Sequence, residues 1–195
     1  VETSYSDGEN ASYRLMSNGF EGESKSTWYS VSASVAIKGE GEARPSDYWY
    51  GSSLFYDKLP KTDIGSVALE RVLRKLGQKK AKSGKYTMVV DPINSGRMLS
   101  PVLSALYGSS LQQKNSFLID KLDQKVFSDK LTVMDDPHVI GANGSRYFDN
   151  EGVATEHRPI FENGVLKTYF FDTYNAKKMG VAPTISGPSR LVLTP

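Results

Sequence analysis

Five carboxylates cluster in one stretch of the chain: Asp135, Asp136, Asp149, Glu151 and Asp172. Carboxylate oxygens in that number are what a hard cation such as Ca²⁺ or Mg²⁺ collects. Each acid also has a local reason to be where it is. Asp136 precedes Pro137, Asp149 precedes Asn150-Glu151-Gly152, and Asp172 stands where a helix would begin. In such positions an aspartate accepts backbone N–H groups. No EF-hand spacing is present. Turn and cap chemistry is the preferred reading, and an enzyme using these acids with a divalent ion is the competing one.

Other chemistries find less support. His138 and His157 are the only histidines. A zinc hydrolase draws three protein ligands from His, Glu, Asp or Cys, and the chain has neither H-E-x-x-H nor any cysteine. Both histidines sit beside turn or strand-edge signals and read as surface residues. No G-x-S-x-G elbow presents a serine nucleophile, and Ser145 and Ser189 lie in loop sequences. The run Gly141-Ala142-Asn143-Gly144-Ser145 could offer amides to an anion, but it does not lead a strand into a helix, so the phosphate-binding patterns do not fit. Open backbone beside such glycines would instead let an extended peptide lie down by strand addition. The basic run Arg71, Arg74, Lys75, Lys79, Lys80, Lys82 and Lys85 reads as a solvated helix end rather than a nucleic-acid face, because only Tyr86 is near enough to stack on a base.

Composition narrows the classes further. A net charge of +2 gives no push toward nucleic acid or membrane. The absence of cysteine removes disulfides and thiol catalysis and fits a reducing compartment. No apolar run approaches the ~20 residues that span a bilayer, and Val1-Glu2-Thr3-Ser4 carries no signal-peptide pattern. The chain starts without Met and finishes in the strand-like run Ser189 to Pro195, so an internal piece of a longer protein is expected.

The elements that must position these residues follow from periodicity. Residues 1–10 are polar and turn-rich, the pattern of a mobile segment. Tyr13 to Met16 predicts a short strand closed by Ser17-Asn18-Gly19. Thr27 to Ile37 alternates, with Tyr29, Val31, Ala33, Val35 and Ile37 on one face, which predicts a half-buried strand. Asp47 to Phe55 predicts its partner, with a bulge at Gly51. Ile64, Ala68, Val72 and Leu76, flanked by Leu69 and Leu73, predict an amphipathic helix capped by Thr62 or Asp63. Tyr86 to Val90 predicts a strand. Ser95 to Tyr107 predicts a second helix, with Pro101 in its first turns or at its true start. Gly108-Ser109-Ser110 reads as a break, Leu111 to Leu118 is ambiguous, and Val126 to Met134 predicts a strand. Glu162-Asn163-Gly164 between two apolar runs predicts a tight hairpin. Asp172-Thr173 and Gly180 bracket a short helix from Tyr174 to Met179. The sum is an α+β fold: an antiparallel sheet packed with two helices over residues 1–120, then the start of a mostly antiparallel β domain over 121–195.

Asp135-Asp136-Pro137, the glycines from Gly141 to Ser145, Phe148-Asp149-Asn150-Glu151-Gly152-Val153, Glu162 to Leu166 and Tyr174 to Gly180 occur together in one order. In order and spacing this set resembles the C-terminal domain of the TldD/PmbA family, also labelled modulators of DNA gyrase. Gly84 to Pro92 and Ser116-Phe117-Leu118 extend the resemblance, which covers the chain from roughly Leu15 on. It implies a partly barrel-like C-terminal domain and a cytoplasmic peptidase assembly acting on unfolded or modified peptides. In the catalytic TldD branch an H-E-x-x-x-H zinc motif lies on the helix after the Asp-Pro. Those positions fall on Ser100, Pro101 and Ala105. The chain therefore looks like the motif-less PmbA/TldE branch. That branch implies no catalytic or metal-binding residue and no cofactor in this chain, with zinc only in a TldD-like partner. Implied partners are that catalytic subunit or a second copy, and a peptide. Gly141, Asn143, Gly144, Asp149 and Glu151 are the candidates for peptide or interface contact. A gyrase- or nucleic-acid-associated binding module is the alternative.

Overall fold

The computed structural model describes residues 1–194. The chain divides into two compact units, Val1–Tyr86 and the residues from Thr87 on. This division comes earlier than the boundary near residue 120 expected from the sequence. The reason is packing: Ala105, Leu106 and Leu118 are buried in the same core as Val133, Ile160 and Phe161. The second helix therefore belongs to the later unit.

The first unit is a three-stranded antiparallel sheet, β1 (Glu2–Leu15), β2 (Glu21–Ala36) and β3 (Ser46–Ser53), in that order. β1 pairs along its whole length with β2, from Glu2 opposite Ser34 to Leu15 opposite Glu21. Residues 2–10 are thus strand rather than a mobile segment. Their side chains are mostly polar and only Thr3 and Tyr5 are β-formers, but a ladder needs only backbone donors and acceptors, so the composition did not prevent pairing. Gly19, at φ 88°, closes the β1–β2 hairpin, with its amide donating to Met16 O at 3.0 Å.

The alternation of β2 is realised as read. Ala33 and Val35 are buried and pack with Ile64, Ala68 and Val72 of α1 (Ile64–Leu73). Leu69, Leu73 and Leu76 stay exposed, so the packed stripe is narrower than the apolar one. Asp63 takes the N-cap position at φ 63°, but its side chain caps no amide. Gly51 makes no bulge: it pairs in register with Val31, and a Cβ there would come within 2.4 Å of Pro60 Cγ. The demand at this position is close approach, not a turn.

From 86 to 90 the predicted strand does not form, and Val89 is 92% exposed. β-branched residues favour a strand only where a neighbouring ladder accepts it, and none does among the described residues.

The second unit begins with α2 (Pro92–Ser104). Asp91 caps it, accepting the Ile93 amide at 2.9 Å, and Pro92 occupies the first turn, where its missing N–H costs nothing. The helix thus starts before Ser95, and Pro101 lies inside its last turn rather than its first. The glycine-serine break expected at 108–110 is instead the start of a short helix, α3 (Gly108–Gln112). β4 (Thr132–Asp135), β5 (Arg158–Glu162), β6 (Val165–Leu166) and β7 (Leu191–Thr194) form an antiparallel sheet in the order β6-β5-β4-β7. The strand expected over 126–134 is shorter and later, and the one after the hairpin is cut to two residues. Of the expected terminal strand, Leu191–Thr194 forms, and Pro195 lies outside the described residues. The sheet is open among the described residues, so the barrel-like element of the expectation is not seen as a closed barrel, while the antiparallel α+β class stands.

The hairpin turn is as read. Asn163 (φ 49°) and Gly164 (φ 77°) both take the left-handed conformation that a type I′ turn requires. α4 (Thr173–Met179) follows, capped by Asp172, whose Oδ1 accepts the Asn175 amide at 2.6 Å, and closed by Gly180 at φ 70°.

Candidate functional site

Four of the five clustered acids accept backbone amides, and the fifth, Asp136, pairs with an arginine. Asp135, on β4 and 1% exposed, takes the amides of Ser189 at 3.0 Å and Arg190 at 2.9 Å. Asp136 accepts from the Arg190 guanidinium at 3.2 Å, and its own amide donates to Arg190 O at 2.8 Å. Together these contacts bind the start of the long loop after β4 to the segment entering β7.

Asp149 is buried at the centre of that loop. Its Oδ1 accepts the amides of Glu151 at 2.8 Å and Val153 at 3.0 Å, and Oδ2 accepts the Ser186 amide at 2.9 Å. Glu151 accepts at both oxygens from Thr173, the first residue of α4: Oε2 from its amide and Oε1 from its hydroxyl, each at 2.8 Å. Asp172 caps the same helix. Acids read as local turn residues thus also make long-range ties. The fold gives them amides, a hydroxyl and a guanidinium rather than one another. Among the described residues no group of three or more His, Cys, Asp or Glu is placed to hold a metal ion.

Two buried aspartates respond oppositely to this setting. Burial pushes the Asp135 carboxyl above the ordinary aspartate value, and the amides of Ser189 and Arg190 and the charges of Arg158 and Arg146 offset only part of the rise. For Asp149 burial also acts upward, but the donors of Ser186, Glu151 and Val153 outweigh it and hold the carboxyl below its usual value.

The histidines and serines are likewise accounted for. His138 stacks on Tyr147 with ring centroids 5.5 Å apart, and its Nε2 lies 3.0 Å from Thr155 Oγ1. The Thr155 hydroxyl proton is given to Arg146 O, so His138 is the donor in that pair. His157 is exposed. Ser145 Oγ donates to Val139 O at 2.7 Å, and Ser189 Oγ accepts from Arg146 Nε at 2.9 Å. Neither serine meets a histidine.

Gly141, Asn143 and Gly144 are exposed, as are His138, Ile140, Tyr147 and Asn150 of the same loop. Gly141 (φ 73°) and Gly144 (φ 85°) adopt the conformation that favours glycine, and a Cβ on Gly144 would come within 2.6 Å of Ser189 O. Asp149 and Glu151 turn their carboxylates into the scaffold beneath. Sequence reasoning missed the residue that secures this loop from the other side. Arg146 donates through its second guanidinium nitrogen to Gly187 O at 2.8 Å and Pro188 O at 3.1 Å. No spacing rule announces a contact across 41 residues of chain.

The basic helix end is partly neutralised within the first unit. Arg71 and Lys75 reach the Asp47 carboxylate at 3.5 and 3.3 Å, and Arg74 pairs with Glu70. Lys79, Lys80, Lys82 and Lys85 are exposed.

On α2 and its C-cap, Ser100 and Pro101 are exposed and Ala105 is buried. Ala105 O accepts from Ser116 Oγ at 2.6 Å. None of the three side chains has an imidazole or carboxylate, so they do not fit a zinc ion.

A family profile described as the PmbA/TldA metallopeptidase C-terminal domain matches residues 83–194, and one described as the central domain of the same metallopeptidases matches residues 1–76. The chain belongs to the PmbA/TldD family. The two profiles meet between 76 and 83, close to the division at Tyr86. Among curated relatives, a metalloprotease PmbA homolog of Haemophilus influenzae is 35% identical over 161 residues, which are 82% of this chain and 35% of that protein. Metalloprotease PmbA of Escherichia coli O157:H7 is 29% identical over 160 residues, again 82% of this chain and 35% of that protein. The chain thus spans about a third of the length of these relatives. A crystal structure from Bacteroides thetaiotaomicron, described as a candidate modulator of DNA gyrase, superposes with a TM-score of 0.95 at 70% identity, over 98% of this chain and 44% of that one. TldE from Thermococcus kodakarensis shares the fold, with a TM-score of 0.73 at 20% identity over 98% of this chain and 46% of that one.

Proposed function

We propose that this chain is part of a non-catalytic, TldE/PmbA-like subunit of a cytoplasmic TldD/TldE-type metallopeptidase assembly that handles unfolded or modified peptides. The observation that carries the reading is the donor set of α2. Where the catalytic branch places two histidines and a glutamate, this helix and its C-cap offer Ser100, Pro101 and Ala105. Such a subunit leaves zinc and the activation of water to its TldD-like partner. Its own part is binding and shaping. Gly141, Asn143 and Gly144 present exposed backbone to an extended peptide or to the partner. Asp149 and Glu151 fix the later part of the same loop, Asp149 to Ser186 and Glu151 to Thr173 at the start of α4.

The test is a pull-down of the full-length protein from its own cells, with partners identified by mass spectrometry and metals by elemental analysis of the same eluate. A co-eluting homologue carrying H-E-x-x-x-H, together with zinc, is expected. A metal-free homo-oligomer without such a homologue overturns the reading and returns attention to a nucleic-acid-associated role.

A further inference from the structure

The chain contains three Asn-Gly dipeptides, at Asn18, Asn143 and Asn163. Asparagine before glycine is the peptide linkage most prone to lose its amide. The following backbone nitrogen attacks the side-chain carbonyl carbon, and glycine puts no Cβ in the way. Whether that happens in a folded protein depends on how free the glycine amide and the asparagine side chain are.

The fold treats the three pairs differently. At the first hairpin, the Gly19 amide donates to Met16 O at 3.0 Å, and Asn18 Oδ1 is occupied by the Phe20 amide at 3.1 Å. At the second, the Gly164 amide donates to Leu131 O at 2.8 Å, and its carbonyl accepts the amides of Val126 and Phe127. A buried Gly164 so held cannot turn its nitrogen toward Asn163. At Asn143-Gly144 both residues are exposed. Neither the Asn143 side chain nor the Gly144 amide makes a hydrogen bond among the described residues. The bonds that close the turn come from its flanks, Ser145 N to Ala142 O at 3.3 Å and Ser145 Oγ and Ala142 N to Val139 O at 2.7 and 3.2 Å.

We propose that Asn143 is a spontaneous modification site of the folded protein, converting to aspartate and isoaspartate while Asn18 and Asn163 are protected. The Gly144 nitrogen forms a bond to Asn143 Cγ, the Cγ–Nδ2 bond breaks, and ammonia leaves with the amide proton. Water then opens the resulting imide at either carbonyl, giving aspartate or isoaspartate. Both products add a negative charge to the exposed loop. The iso form also inserts a methylene into the main chain where Gly144 lies against Ser189 O, so the loop must be displaced there. This inference does not depend on the peptidase reading.

The test is incubation of the full chain at mildly alkaline pH, in buffer and in urea, followed by tryptic peptide mapping with fragmentation that separates aspartate from isoaspartate. Asn18 falls in the peptide from Leu15 to Lys25, Asn143 in that from Leu131 to Arg146, and Asn163 in that from Tyr147 to Lys167. In buffer, Asn143 converts at a rate near its urea rate, whereas Asn18 and Asn163 convert at least about tenfold more slowly than in urea. Methyltransferase labelling of isoaspartate gives a second readout, and Asn143→Gln removes the label from the folded chain. Asn143 remaining intact in buffer over a time that converts it in urea overturns the proposal, as does Asn18 or Asn163 converting as fast as Asn143.

Discussion

Asp149 and Ser186 are joined across 37 residues of chain, the Ser186 amide donating to Asp149 Oδ2 at 2.9 Å. The other oxygen of the same carboxylate organises its own turn. One side chain therefore closes a local loop and fixes that loop to a distant segment. Replacing Asp149 with alanine strands three amide donors and is expected to cost roughly 2–4 kcal/mol. Urea denaturation of the chain, with the midpoint and slope both measured, checks this; a cost within error of zero refutes the scaffold role.

The opposite shifts of Asp149 and Asp135 give a signed pH test. A depressed carboxyl contributes stability that is present above its unfolded value, about 3.9, and lost as pH falls through the folded value. The difference between wild type and Asp149→Asn should therefore shrink on acidification. A raised carboxyl does the reverse, because the folded state binds its proton first. The difference between wild type and Asp135→Asn should grow as pH falls through the raised value. Parallel behaviour of the two variants contradicts the assignment.

Two glycines in the left-handed region separate strain from collision. At Gly180 (φ 70°) a Cβ would meet nothing within 4 Å, so Gly180→Ala carries conformational strain alone, about 1 kcal/mol. At Gly164 (φ 77°) a Cβ would lie 2.3 Å from Phe127 O and 2.5 Å from Ser128 O. Gly164→Ala is expected to cost at least about 3 kcal/mol, since both effects apply. Thermal melts of the two variants rank them directly.

The division of the chain predicts where a core mutation is felt. Leu106 is fully buried among Leu118, Ile160 and Phe161, so Leu106→Ala should cost about 2–5 kcal/mol. Hydrogen exchange should rise in peptides covering β4 and β5 and remain at wild-type levels in those covering β2 and β3. Loss of protection confined to residues before 120 would instead favour the later boundary.

What was legible in the sequence was chemistry that acts within a few residues. The Asn163-Gly164 turn, the Asp172 cap, the Gly180 stop and the alternation of β2 each depend on a residue's own φ or its immediate neighbours, and a short window holds all of that information. What only the tertiary structure decided was partnership. Residues 2–10 became strand because β2 lay beside them, and the strand-like Tyr86–Val90 did not because no ladder did. Glu151 became an acceptor for the start of α4, and Arg146 a clamp on Gly187 and Pro188, through contacts 22 and 41 residues apart. Hydrogen bonds and buried apolar surface are satisfied by whatever the fold brings near, and sequence spacing carries no record of that choice.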